Sequence, residues 1–369
     1  MSSAWPDAEQ RVAGYVSGPT GDALRFSLSG RRNTRDGYVK NVFDGRELND
    51  RDDFGFRGKL EWEPSEALRA TLIGDYWKRD ADCCIWTWER FGPPPGFTEQ
   101  LALNAGVVPG RDNLKQNIDG DVFSDSSSYG SSLQLDYEMG GGYTLTSISA
   151  WRTFETRDGL DSDSSPLDIL NVNYGDHTQR QISQELRLIS PTGGFVDYVA
   201  GLYFFRSNVD SFTRQFFPTV PFPFFDRAVN VDATTRNVAA FGQADLNLTD
   251  ELRLILGARV LREKQEVAKD RVDARLSLAD SARAEETDDA VTWRTGVQYE
   301  FTHDVIAFAT VTRGFKGGGF DSNIAVQGLR PVGPEEPTSY EIGLRTAWPQ
   351  AGLTFNVTAF KAQINDYQT

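Results

Sequence analysis

The sequence predicts an all-β protein, an antiparallel up-and-down transmembrane β-barrel with about fourteen strands in this chain, and three observations carry that prediction. Side chains alternate with period two through most of the 369 residues, as a strand with one apolar and one wet face requires. Tight turns and long polar loops follow one another strictly, so one end of the sheet holds all the short connections and the other all the long ones. No apolar run approaches the ~18 residues of a spanning helix, yet aromatic residues make up 12% of a chain that is 25% charged. The mean hydropathy is -0.45. A barrel strand needs only about 9–11 residues, every second one apolar, so a membrane barrel looks hydrophilic on average.

Taken in order, the alternation marks strands at Arg11 to Val16, Ala23 to Arg31, Phe54 to Trp62, Leu68 to Tyr76, Leu133 to Tyr137 and Tyr143 to Phe154. It continues at Ile182 to Leu188, Tyr198 to Phe205, Val238 to Leu248, Leu252 to Val260 and Trp293 to Phe301. Val305 to Val311, Tyr340 to Leu344 and Leu353 to Ala359 complete the set. In the stretch from Trp293, one face carries Trp293, Thr295, Val297, Tyr299 and Phe301, and the other Arg294, Gly296, Gln298 and Glu300. Tyr143 to Phe154 changes phase between Leu145 and Ile148, which predicts a bulge. No helix is expected.

Tight turns fall at Gly18 to Asp22, Pro64 to Glu66, Gly140 to Gly142, Thr192 to Gly194, Thr249 to Glu251, Thr302 to Asp304 and Pro349 to Gly352. Long loops are expected at Arg32 to Asp53, Asp80 to Asp125, Asp158 to His177, Ser207 to Asp232, Glu263 to Ala290 and Gly317 to Pro337. A soluble sandwich or propeller has no reason to sort loop lengths by edge. Trp62, Trp77, Trp151, Trp293 and Trp348 lie near strand ends, where an interfacial girdle would place them.

The charge of -15, from 38 Lys and Arg against 53 Asp and Glu, repels phosphate backbones and argues against nucleic acid as a partner. Two His residues leave imidazole metal sites and Ser-His-Asp catalysis short of parts, so neither a metal nor a catalytic residue is assigned and no enzyme is expected. Met1 to Gln10 lacks the apolar core of an export signal.

Cys83 and Cys84 are adjacent, which excludes a disulfide framework or a CxxC motif. A vicinal disulfide capping the Asp80 to Asp125 loop is the preferred reading, with two free thiols or metal capture as the alternatives, though no third sulfur or nearby His supports a metal. Trp86, Trp88, Phe217, Phe222, Phe224 and Phe225 are candidate ligand-binding residues, because loop aromatics stiffened by prolines offer contact area at low entropic cost. The other reading is that these loops pack on one another to close the mouth. Asp158, Asp161, Asp163, Asp168 and Asp176 read as a solvated acidic loop, since the Gly and Glu of a calcium loop are missing. Glu335-Glu336 and Asp288-Asp289 have no neighbours that would separate their pKa values. The Gly-rich Arg313 to Phe320 stretch reads as a flexible strand exit.

Several stretches resemble TonB-dependent outer-membrane receptors: Gly14 to Pro19, Gln184 to Leu188, Ala240 to Gln243, Arg313 to Phe320 and, above all, Pro334-Glu335-Glu336-Pro337-Thr338-Ser339-Tyr340-Glu341-Ile342-Gly343. The resemblance implies a larger barrel of the 22-stranded type, holding a plug, which imports a scarce ligand across the outer membrane of a Gram-negative bacterium. A ferric siderophore is the ligand class it implies. It also implies outer-membrane lipid as surroundings and TonB as the energy-supplying partner, contacted through a region outside residues 1–369. These residues are expected to form one partial barrel domain without a plug. A passive porin, or a secreted soluble β-protein binding glycans through its loop aromatics, are the alternatives.

Overall fold

The computed structural model describes residues 9–217, 226–274 and 277–368. Its strands in chain order are β1 (Gln10–Pro19), β2 (Leu24–Arg35), β3 (Val39–Asn41), β4 (Glu47–Leu48), β5 (Arg51–Ser65), β6 (Leu68–Asp80), β7 (Lys115–Gln116), β8 (Phe123–Glu138), β9 (Thr144–Gly159) and β10 (Val172–Ile189). They continue with β11 (Val196–Phe216), β12 (Asp226–Asn247), β13 (Leu252–Asp273), β14 (Leu278–Thr302), β15 (Val305–Arg313), β16 (Gly319–Asp321), β17 (Arg330–Val332), β18 (Glu336–Trp348) and β19 (Leu353–Asn365). Fourteen of them form one antiparallel sheet in sequence order, with β1 and β19 at its edges. Each of the fourteen expected segments falls on one of these strands, often at the end nearer a short turn.

Register sorts the side chains by face. Leu252, Leu254 and Leu256 stand opposite Tyr299, Val297 and Thr295, so the apolar sets of β13 and β14 share one face. On this outward face no charged residue stands from Leu24 to Gly30, Phe54 to Trp62, Leu68 to Tyr76, Val196 to Phe204, Val238 to Leu246, Leu252 to Val260 or Val291 to Phe301. Leu202 is 61% exposed and Val260 58%, an apolar belt left bare by the protein itself. The other face is polar and lines the lumen when such a sheet closes. There the Arg259 guanidinium lies over the rings of Tyr203 and Phe241, at 4.9 and 5.8 Å, and Arg345 over Phe308 at 5.1 Å.

In its strands, turns and facing, the structure departs from the sequence reading in four places. The long loops expected at Ser207 to Asp232 and Glu263 to Ala290 are largely strand, since β11 runs on to Phe216 and β13 to Asp273. Alternation in apolar residues stops where the belt stops, but the backbone ladder does not. The bulge expected in Tyr143 to Phe154 is absent, and β9 pairs without a register shift to both neighbours. Its apparent phase change is chemical, with Ser147 and Ser149 on the outward face and Ile148 on the polar one. Trp77 stands on the polar face beside Gly55 rather than in a girdle, while Trp62, Trp151, Trp293 and Trp348 face outward. Finally, a helix, α1 (Phe97–Asn104), occupies the β6–β8 connection. Glu99 accepts a hydrogen bond from the Gly96 amide at its start. Eight residues are too few to show a helical period.

The Gly-rich β15–β18 connection is also held rather than loose. Lys269 on β13, 1% exposed, donates from Nζ to the carbonyls of Asn323, Val326 and Gly328 at 2.9, 2.7 and 3.1 Å. Gly318 and Gly328 amides donate to Asp288 and Asp280 on β14.

The two faces can be told apart directly. In a reconstituted bilayer, a nitroxide at position 297 should report lipid and one at 298 water, and an Arg at 297 should cost about 2–4 kcal/mol where one at 298 costs little. Equal accessibility at the two positions would contradict the assignment.

Candidate functional site

At the long-loop end, three connections merge into one body. Val39, Leu48, Ile85, Ile118 and Val122 form its buried core, with Tyr38 and Leu160 packed against them. The core draws on the β2–β5, β6–β8 and β9–β10 connections, and β3 pairs antiparallel with β4 and parallel with β7.

Two buried asparagines lock these loops together by acting as backbone mimics. Asn41 donates from Nδ2 to the Ile118 carbonyl at 2.9 Å and accepts the Ile118 amide at 3.1 Å. Asn49 does the same to Ile85, at 2.7 and 2.9 Å. Each gives an isolated loop peptide the two hydrogen bonds a strand partner would supply. Nothing in the local sequence distinguishes these residues from turn asparagines.

Cys83 and Cys84, joined in a disulfide, precede the clamped Ile85. Trp86 and Trp88 follow, with ring centroids 5.1 Å apart, and Phe91 packs edge-on to Trp88 at 5.2 Å. Their backbone is fixed, because the Trp86 carbonyl accepts from Gln116 Nε2 at 3.0 Å and the Trp88 carbonyl from Asn113 Nδ2 at 3.1 Å. Trp86 remains 52% exposed. Phe217 directly follows β11, in a different connection, and Phe222, Phe224 and Phe225 lie outside the described residues.

The acidic loop is not solvated as expected. Asp161 is fully buried and accepts the Gly120 amide through Oδ2 and the Ser164 amide through Oδ1, both at 3.0 Å. Asp163 accepts the amides of Ser165 and Leu170 at 3.1 and 2.9 Å. These carboxylates serve as backbone acceptors, which turns an acidic run into a strut between two loops. Burial, with Asp163 and Asp119 nearby, pushes the Asp161 carboxyl up to about 6.

On the polar face of the strands below lies a cavity of about 670 Å³ lined by Tyr15, Arg31, Arg57, Asp75, Trp77 and Arg152. Arg152 grips Asp75 with two hydrogen bonds from Nη2, at 2.7 and 2.9 Å. The pair bridges across Gly130 on β8, where a Cβ would come within 2.5 Å of the Trp151 carbonyl oxygen. Arg31 and Arg57 have no carboxylate within 4.0 Å among the described residues. Two forked cations beside aromatic rings suit a planar anionic group. Sequence reasoning missed these arginines, although their alternate positions in β2 and β5 placed them on the polar face.

Among known proteins, the model of the family described as TonB dependent receptor-like, beta-barrel matches residues 84–369. Solved structures give the same answer for the fold. The ferric yersiniabactin uptake receptor FyuA from Yersinia pestis superposes with a TM-score of 0.81 at 20% identity, covering 98% of this chain and 54% of that one. The ferric-catecholate import receptor Fiu from E. coli K12 gives 0.70 at 12% identity, covering 98% and 60%. The ferripyoverdine receptor of the outer membrane of Pseudomonas aeruginosa, bound to ferripyoverdine, gives 0.67 at 14%, covering 97% and 47%. The chain thus spans about half the length of these receptors.

Two outcomes check the loop body. Asn41→Ala leaves the buried Ile118 amide and carbonyl without partners, at about 1–3 kcal/mol for each group, and should make residues 81–122 the first site of proteolysis. The raised Asp161 carboxyl means that the folded loops bind a proton more tightly than the open ones. They therefore gain stability as pH falls from about 6 toward 4 and lose it above. Exchange protection of the Gly120 and Ser164 amides, corrected for intrinsic rates, should be higher at pH 5 than at pH 7, by at most about tenfold per pH unit.

Proposed function

Because the chain belongs to the TonB-dependent receptor family, through the β-barrel match over residues 84–369, we propose that it forms barrel wall and external loops of an outer-membrane receptor taking up a ferric siderophore. The observation that carries this reading is the pairing of a bare apolar belt on one face with a cation-lined polar face on the other, capped at the long-loop end by fixed aromatics. A glycan-binding secreted protein has no use for the belt.

In this reading Trp86 and Trp88 meet the ligand first. Held by Gln116 and Asn113, they present ring surface without losing freedom on contact. Arg31 and Arg57 lie further in, where their guanidinium groups attract the carboxylate or oxygen-rich chelating groups of an anionic complex. TonB would supply the energy for release through parts of the receptor outside these residues. Two of the structurally similar proteins are described as an uptake receptor and an import receptor, and this reading requires no chemistry on the ligand.

The test is uptake of radioactive iron, supplied as ferric siderophore, by iron-starved cells carrying the intact receptor. Uptake should vanish on deletion of the gene and on collapse of the proton gradient. The double substitution Trp86→Ala, Trp88→Ala should weaken binding about tenfold or more while heat-modifiable migration stays intact. Uptake that survives loss of the gradient would instead indicate a passive pore.

A further inference from the structure

Beyond the belt on the outward face, charge is layered. Moving away from the short turns, the first charged outward residue is Arg180 on β10, Arg206 on β11, Arg236 on β12 and Arg262 on β13. Four residues further out on the same strands stand Asp176, Asp210, Asp232 and Glu266. A basic row thus borders the belt, and an acidic row lies outside it, on a chain whose net charge is -15.

The register sharpens the pattern. Arg206 stands directly opposite Arg236, and Arg236 directly opposite Lys264, so three cations occupy adjacent rungs of one ladder. Like charges placed opposite each other destabilise a sheet. An arrangement selected for ion pairing alone would alternate the signs along the rung. Some of the charge is answered from the outer row, with Glu266 within 3.4 Å of Arg236 and 3.0 Å of Lys264, and Glu285 2.9 Å from Lys264. Arg180 pairs with Asp210 at 2.9 Å and Arg262 with Asp289 at 2.7 Å. Arg206 has only the Asn208 side chain, at 3.3 Å, and no carboxylate within 4.0 Å among the described residues.

We propose that Arg206, Arg236 and Lys264 form a binding site for the phosphate of a membrane lipid, whose acyl chains lie on the adjoining belt. The inference rests on the membrane reading above. Leu202, Phe204, Val238 and Val260 supply the apolar wall directly beneath the three cations. Long basic side chains reach from the edge of an apolar zone to the headgroup level with their stems still covered. A phosphate there gives Arg206 its missing anion and screens the repulsion along the rung. Of the outer acidic row, Asp176, Asp210 and Asp232 stand away from Arg236 and Lys264, whereas Glu266 pairs with both, so a phosphate would share these two cations with it and take Arg206 for itself.

The experiment uses the intact receptor in phosphatidylcholine bilayers and compares spin-labelled phosphatidic acid with spin-labelled phosphatidylcholine. The measured quantity is the ratio of their association constants at the protein surface. Phosphatidic acid should be favoured by about fivefold for each engaged cation. Arg206→Gln with Arg236→Gln should bring the ratio close to one, while Arg206→Lys with Arg236→Lys retains most of it. The preference should also shrink at high salt. Should the Gln pair fail to assemble, the Lys pair and the salt series decide the matter, since a preference insensitive to salt overturns the proposal. Equal association of the two lipids also overturns it, and does so without touching the membrane reading. Loss of the preference on adding about 10 mM inorganic phosphate at constant ionic strength would identify a free-anion site instead and overturn the lipid assignment. Absence of any motionally restricted lipid would sink both readings together.

Discussion

Everything in this molecule depends on a backbone that must satisfy its own hydrogen bonds where water is absent. A sheet does this through its ladders, and a ladder tolerates only one phase: slipping by one residue would turn Arg259 outward and Val260 inward along the whole of β13. Sequence alternation and register therefore hold each other in place. That is why fourteen strands stand in sequence order and, among the described residues, the register shifts only near the short turns of β5–β6 and β14–β15.

Where the belt ends the constraint relaxes, and the chain uses other devices. Asn41 and Asn49 take the part of a strand partner, Asp161 and Asp163 collect amides, and Lys269 collects carbonyls. All five are polar side chains turned inward on backbone, and they give the loops a fixed shape without a large apolar core. The aromatic pair at Trp86 and Trp88 inherits its orientation from that frame.

This division explains how much could be read from the amino acids. The fourteen strands of the large sheet were legible because a two-faced pattern repeats over several residues in each, and the short turns announced themselves by Gly, Pro and Asp, whereas β3, β4, β7, β16 and β17 are two or three residues long and show no period. Strand length was not legible, because β13 beyond Val260 is polar on both faces and has no period to detect. α1 was too short to declare itself. In the site, Trp86 and Trp88 stood out by residue type, whereas Arg31, Arg57 and Asp75 needed the register that brings three strands side by side. The burial of Asp161 depends on Gly120, 41 positions away in sequence, and no local signal carries such a contact.

The reach of the strands past the belt has a consequence for how the cell meets its surroundings. From Val260 to Asp273 the sheet continues, at about 3.3 Å per residue, for roughly 40 Å along the strand. In the proposed outer-membrane setting, the first thing an antibody or a phage would touch is a stiff palisade rather than a fringe of loops. Its outward side chains beyond Lys264 are free to vary under such pressure, while inward ones such as Lys269 stay tied to the Gly-rich connection and the ladder beneath keeps its shape. Surface identity and scaffold are carried by the same residues, one by their side chains and the other by their backbone.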